Sequence, residues 1–114
     1  MTKDRKKFIL DVFKSYNDNK EILKILSLNS LSAMSVEQRK YFNLLKTKVE
    51  IVDVVLHAFT YQSSNKKDFV VRRFINGESQ KSLIFSCFVC GKTIYRWERE
   101  VFDKTDILLK EKRL

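Results

Sequence analysis

Proline is missing from this chain of 114 residues, and glycine occurs only twice, at Gly77 and Gly91. β-Sandwiches and doubly wound sheets need frequent turns, and turns draw heavily on those two residues. Their scarcity argues against such folds and predicts long helices joined by few, short connections. Histidine occurs once, at His57, and cysteine twice, at Cys87 and Cys90. Two cysteines three apart are not a disulfide framework. The chain has no glycine-rich phosphate loop, and its carboxylates are scattered beside Lys and Arg, as on solvated helix faces. An enzyme is therefore not expected, nor is a cofactor. No apolar run approaches the ~20 residues needed to cross a bilayer. The N-terminal stretch M-T-K-D-R-K-K-F-I-L-D-V-F-K turns polar again too soon for a secretory signal. The expectation is a soluble cytoplasmic protein with no membrane attachment.

Charge is what the chain has in excess. The formal net charge is +9 and the sequence pI is about 9.7. Residues 1–48 carry 11 basic and 5 acidic side chains, and residues 49–114 carry 12 and 9, so the excess is spread along the chain. A small protein this basic usually has a polyanionic partner, nucleic acid or an acidic membrane surface. The plainer alternative is a solubilising surface. With 44% hydrophobic residues the chain has enough apolar surface for one folded domain.

Hydrophobic periodicity supplies the elements. From Lys3 to about Asn29, Ile9, Phe13, Tyr16, Leu23 and Leu26 recur at spacings that share one helix face. Asn17-Asp18-Asn19 interrupts the pattern, either ending one helix and capping the next or lying on the wet side of a single long one. Leu28 to Met34 reads as a connection. Ser35-Val36-Glu37-Gln38 then fits a capping box. After it Phe42, Leu45, Val49, Val52, Leu56 and Phe59 form a heptad-like seam flanked by Leu44, Ile51 and Val55. A face that wide suits a helix packed against several neighbours, and a dimer seam is the rival. Tyr61 to Asn65 ends that helix, and Ser64 is placed to cap a shorter one through Phe69, Val70, Phe74 and Ile75. Gly77 sits where a left-handed helix end is wanted. Ser79 can cap a helix from Gln80 to about Cys87, and a last helix begins near Gly91. The chain reads as all-α, a helical bundle with long N-terminal helices and a C-terminal helix-turn-helix. It forms one domain, 1–114, in which residues 1–62 make an N-terminal arm or hairpin and 63–114 the helix-turn-helix module.

The stretch C-F-V-C-G-K-T-I-Y-R-W, Cys87 to Trp97, admits two readings. A structural zinc site needs four ligands, and Cys87, Cys90 and His57 supply three at most. A redox C-x-x-C needs a βαβ setting. No metal is expected, and both cysteines read as small apolar residues. The helix-turn-helix reading fits better. Counted from Gln80, Leu83 and Ile84 face inward from the first helix with Cys87 behind them. Val89 fills the turn, and Ile94 and Trp97 face inward from the second helix. Phe88 stands where a tight turn often has glycine, and Cys90 where Ser or Thr usually caps. Gly91, Lys92, Thr93, Tyr95, Arg96 and Arg99 are then the outward positions, suited to guanine edges and phosphates. Ser79, Gln80 and Lys81 at the start of the preceding helix form a phosphate anchor. Lys66, Lys67, Arg72 and Arg73 add backbone-phosphate contacts upstream. An ordinary helical hairpin with a solvated basic face is the competing reading.

With these residues placed, the chain resembles the RinA-like and ArpU-like families of phage late-gene transcription regulators, whose C-terminal module is similar to region 4 of sigma factors. F-I-L-D-V-F-K-S-Y-N-D-N-K-E-I-L is similar to their opening helix and K-V-E-I-V-D-V-V-L to a middle block. V-V-R-R-F-I-N-G-E-S resembles their helix ending in Gly before a capping Ser. T-I-Y-R-W-E-R-E-V-F resembles their recognition helix, which implies Thr93, Tyr95, Arg96 and Arg99 as DNA contacts. S-L-I-F-S-C is less polar than the corresponding family helix. The resemblance implies a regulator acting at a promoter on double-stranded DNA in the cytoplasm of a bacterial host. A protein-binding module that grips host RNA polymerase is a second possibility, and a small terminase-like DNA-recognition subunit a third. A homodimer through the N-terminal or middle helix is open in each case.

Overall fold

The computed structural model describes residues 1–28, 33–87 and 91–114, with the side chain of Cys87 left out. Among these residues every regular element is helical, as the glycine and proline scarcity predicts. In chain order they are α1 (Lys3–Lys14), α2 (Tyr16–Ser27), α3 (Val36–Gln62), α4 (Ser64–Val70), a π-turn (Val71–Ile75), α5 (Gln80–Cys87) and α6 (Gly91–Glu111). No described helix is long and apolar enough to cross a membrane.

The local signals act largely where the sequence places them. The Ser35 hydroxyl accepts from the Gln38 amide at 3.1 Å, and the Gln38 side chain accepts from the Ser35 amide at 2.9 Å. The box satisfies two amides that would otherwise lack partners at the start of the 27-residue α3. Gly77 has φ +75°, which glycine adopts without the steric cost other residues meet. The hydroxyl of Ser79 caps α5 by accepting from Ser82 N at 3.1 Å.

Three joints differ from the periodicity reading. The N-terminal helix breaks at Ser15, two residues before Asn17. Ser15 turns its hydroxyl back onto Asp11 O, and buried Asn19 donates to that hydroxyl at 3.1 Å. The cap of α4 is Ser63 rather than Ser64. Ser63 is extended, and its hydroxyl accepts from Lys66 N at 3.0 Å. The helix after Phe69 does not stay α-helical. Asn76 N bonds to Val71 O, five residues back, and Glu78 N to Arg72 O, six back. Phe69 and Phe74, five apart, would lie ~140° apart around an α-helix. Both are fully buried, Phe69 at the end of α4 and Phe74 within the wider turn. Residues 29–32 of the expected connection, and Phe88, Val89 and Cys90 of the expected turn, lie outside the described residues.

Helix α3 is the spine. It packs on α1, α2, α4 and α6, which accounts for the width of its apolar face. Leu45, Val49, Ile51, Val52, Val55 and Phe59 are buried, while Phe42 and Leu56 are half-buried at the flanks of the seam. Its first two turns, residues 36–43, are exposed apart from half-buried Phe42, and the molecule is elongated at 52 × 27 × 24 Å. The radius of gyration, 15.7 Å, exceeds the ~13 Å of a compact domain of about this size. One continuous core joins Ile9, Val12 and Phe13 of α1 to Val52 and Val55 of α3, Phe69, Phe74, Leu83 of α5, and Ile94, Val101 and Leu109 of α6. Residues on both sides of position 62 therefore share a single core.

Phe74 is the hub. Its ring lies 5.2 Å from Phe13, 6.1 Å from Phe69 and 5.4 Å from Phe102, at tilted or edge-on angles favoured by aromatic quadrupoles. Phe69 in turn meets Trp97 at 5.6 Å. Replacing Phe74 with Ala is expected to cost ~3–5 kcal/mol of stability in urea unfolding. A loss under 1 kcal/mol would show that α1, α4 and α6 do not depend on it. At the other end of the core, the Tyr16 hydroxyl donates to Asp53, tying α2 to α3. Burial first, then the bond to Asp53 and its charge, push the Tyr16 phenol up to about 12. The folded state thus holds this proton more tightly than the unfolded one. The resulting stability, on the order of 2 kcal/mol, is complete below pH ~10 and is lost as pH rises toward 12. Tyr16→Phe should flatten that alkaline fall in unfolding experiments between pH 9 and 12.

Candidate nucleic-acid interface

Helix α6 presents two opposed faces. At 100° per residue, Ile94, Trp97, Val101, Thr105 and Leu109 fall on one side, and all five are buried. Trp97 retains only 9% of its exposure, packed against Phe69. The opposite side carries Lys92, Tyr95, Arg96, Arg99 and Asp103, all exposed. Lys92 to Arg99 spans about 10 Å of helix axis. None of Lys92, Arg96 and Arg99 forms an ion pair among the described residues. Their charge is available to an external partner. Tyr95, 61% exposed, extends the same face with a hydroxyl that can donate.

Two residues of the expected outward set sit elsewhere. Gly91 is half-buried and turned toward α5. A Cβ there would meet Ile84 Cδ1 at 3.6 Å, which is ordinary contact. Thr93 lies on the flank of the helix and is half-buried. Of the expected outward set, Lys92, Tyr95, Arg96 and Arg99 are therefore the exposed members.

Helix α5 packs on α6, α4 and the π-turn, with Leu83 fully buried and Ile84 half-buried at the junction. At its start Lys81 is exposed, while the Ser79 hydroxyl is occupied in capping. The Gln80 side chain donates to Glu98 Oε2, so this amide serves the inside of the fold.

The upstream cations are also largely committed. Lys66 pairs with Glu100 at 2.7 Å and reaches Gln62 at 2.5 Å. Arg72 holds Glu78 in a two-pronged pair at 2.6 and 2.9 Å, and reaches Ser86 of α5 at 2.9 Å. That guanidinium keeps the Glu78 carboxyl below its usual range, chiefly through the hydrogen bonds. Arg73 donates to Glu78 O at 3.1 Å and pairs with Glu98 at 3.2 Å. Of the four expected phosphate contacts, only Lys67 is exposed without such a pair among the described residues. The other three brace the module instead. Two of their carboxylate partners lie 34 and 25 residues away in sequence, beyond any local pattern, and the third, Glu78, lies 6 away.

Glu98 is the node of that bracing. It is 9% exposed and lies on the core side of α6. It joins Arg73 of the π-turn and Gln80 of α5 to the helix that carries the cationic face. It thereby sets where α6 lies relative to both neighbours.

Nothing matches the chain in comparisons with protein-family models, with curated proteins or with solved structures. Among the described residues no group of three His, Cys, Asp or Glu side chains is placed to hold a metal ion. His57 is exposed on α3 and meets the ring of Tyr61 edge-on at 4.8 Å.

A cation missed by the motif reading lies beside the face. Arg5 of α1 pairs with Asp106 of α6 at 2.6 Å, which holds the Asp106 carboxyl below its usual range and docks α1 along α6. Lys6 is then carried to the ring of Phe102, its Nζ 5.6 Å from the centroid. Nothing local in the sequence indicates that α1 lies against α6.

Glu98→Ala would leave the partly buried Arg73 guanidinium without its carboxylate, at an expected cost of about 2–3 kcal/mol. Urea unfolding measures it. A change below ~0.5 kcal/mol would mean that the node braces nothing.

Proposed function

We propose that the protein binds double-stranded DNA in a sequence-dependent way and regulates transcription, with α6 as the reading helix and α5 lying across it. The observation that carries this reading is the exposed row Lys92, Arg96 and Arg99. None of the three has an ion-pair partner among the described residues, and they lie on the face of α6 opposite its buried one. Lys and Arg on one face of a helix can donate to guanine O6 and N7 and to phosphates, and Tyr95 to phosphates. Lys81 and Lys67 add charge on neighbouring helices. The likeness of T-I-Y-R-W-E-R-E-V-F to the recognition helix of phage late-gene regulators points the same way and suggests an activator in a bacterial host.

A second reading, docking on a protein such as host RNA polymerase, is favoured by Phe85. This side chain on α5 is 74% exposed, far more than a core-facing aromatic would be. Phe85 lies on the helix that would otherwise only support the reading helix.

The two are separated by selecting duplexes from a random pool at low salt, followed by titration from 50 to 200 mM salt. DNA binding predicts an enriched sequence and an affinity that falls steeply with salt. Arg96→Ala should cost ~1–3 kcal/mol on the enriched duplex if Arg96 reads a base. No retained duplex at low salt, together with Phe85-dependent capture of polymerase, would replace the first reading by the second.

A further inference from the structure

We infer that Lys6 of α1 and Arg99 of α6 together form a seat for one backbone phosphate, in the cleft where the two helices meet. This rests on the duplex-binding reading above and adds to it an element that the helix-turn-helix itself does not contain. The cleft has a volume of about 540 Å³ and is lined by Lys6, Tyr95, Glu98, Arg99, Phe102 and Asp103 among others. It opens beside the exposed face of α6, since Tyr95 and Arg99 belong to both.

The charges in the cleft divide unequally. Glu98 is engaged by Arg73 and Gln80, so its carboxylate is turned into the fold. Lys6 has no carboxylate partner among the described residues. An aromatic face holds its ammonium while the side chain stays exposed. Arg5, its chain neighbour, is fixed to Asp106, and its Nη1 donates to Leu114 O at 2.7 Å. Lys6 is thus carried on a docked helix, and a phosphate arriving there meets a cation whose backbone is already fixed. Lysine suits such a contact as a compact point charge, and arginine can add two parallel donors. Asp103 is exposed one turn beyond Arg99, without an ion-pair partner among the described residues. It lines the same cleft, and its negative charge opposes an anion there.

A phosphate contact carries no sequence information, and this separates the seat from the reading face. Fluorescence anisotropy on an enriched duplex and a scrambled one, from 50 to 200 mM salt, tests it with Lys6→Gln, Lys6→Arg and Asp103→Asn. Thermal melts followed by circular dichroism check that each variant is folded. The expected result for Lys6→Gln is a slope of log affinity against log salt that is shallower by about 0.9. Its fold-loss should be equal on both duplexes. Lys6→Arg should keep the parent slope, and Asp103→Asn should tighten both duplexes. A parent that binds while Lys6→Gln keeps its slope and affinity overturns the seat and leaves the duplex reading standing. So does a loss confined to one sequence. If Lys6→Gln does not fold, unchanged affinity in Asp103→Asn overturns the seat by itself. A parent that binds no duplex removes both the seat and the reading beneath it.

Discussion

The orientation of α6 depends on one aromatic contact set. Phe74 touches Phe13 of α1, Phe69 of α4 and Phe102 of α6, and Phe69 hands the contact on to Trp97. Burial of large rings is the strongest non-directional force available to a chain this size, and their edge-on geometry adds direction. Because α6 supplies two of the five rings, the face it turns inward is settled by them. The face it turns outward, with Lys92, Arg96 and Arg99, follows from the helix period. The π-turn belongs to this arrangement. Phe74 lies within the turn, fully buried.

Electrostatics then sorts the +9 charge into two populations. Lys66, Arg72 and Arg73 lie around the α4–α5–α6 junction and find Glu100, Glu78 and Glu98 there. Exposed pairs of this kind add little to stability on the whole, but the partly buried Arg73–Glu98 pair fixes relative position. Lys92, Arg96, Arg99 and Lys6 have no such partner among the described residues. They are carried on helices whose other faces are anchored, so their charge is presented in a fixed place. A fixed row of cations is the physical requirement for recognising a polyanion at defined spacing.

Several features were legible from local pattern. The capping box at Ser35, the left-handed Gly77, the Ser79 cap and the wide seam of α3 each depend on residues within one or two turns. The three caps stand as their patterns suggest, and the seam does in part: Leu45, Val49, Ile51, Val52, Val55 and Phe59 are buried, Phe42 and Leu56 half-buried, and Leu44 exposed. Of the inward set Leu83, Ile84, Val89, Ile94 and Trp97, Ile84 is half-buried, Val89 lies outside the described residues and the other three are buried, while Lys92, Tyr95, Arg96 and Arg99 are exposed. Elsewhere local pattern was outweighed. Two adjacent serines, Ser63 and Ser64, look equivalent to a propensity argument, and packing of α3 against α4 selects the first. Gly91 and Thr93 counted as outward by their place in the motif, yet the approach of α5 covers one and the flank of the core half-buries the other.

Composition and periodicity by themselves determined that this protein is helical, where most helices begin, and which side of α6 is apolar. These follow from interactions between residues three or four apart. Only the tertiary structure decided which cations are spent inside the molecule and which remain outside, and that Lys6 of α1 and Arg99 of α6 line one cleft. Apart from the Arg72–Glu78 pair, six residues apart, those outcomes depend on carboxylates and rings that lie tens of residues away in the chain and that only the packing of the helices brings within reach.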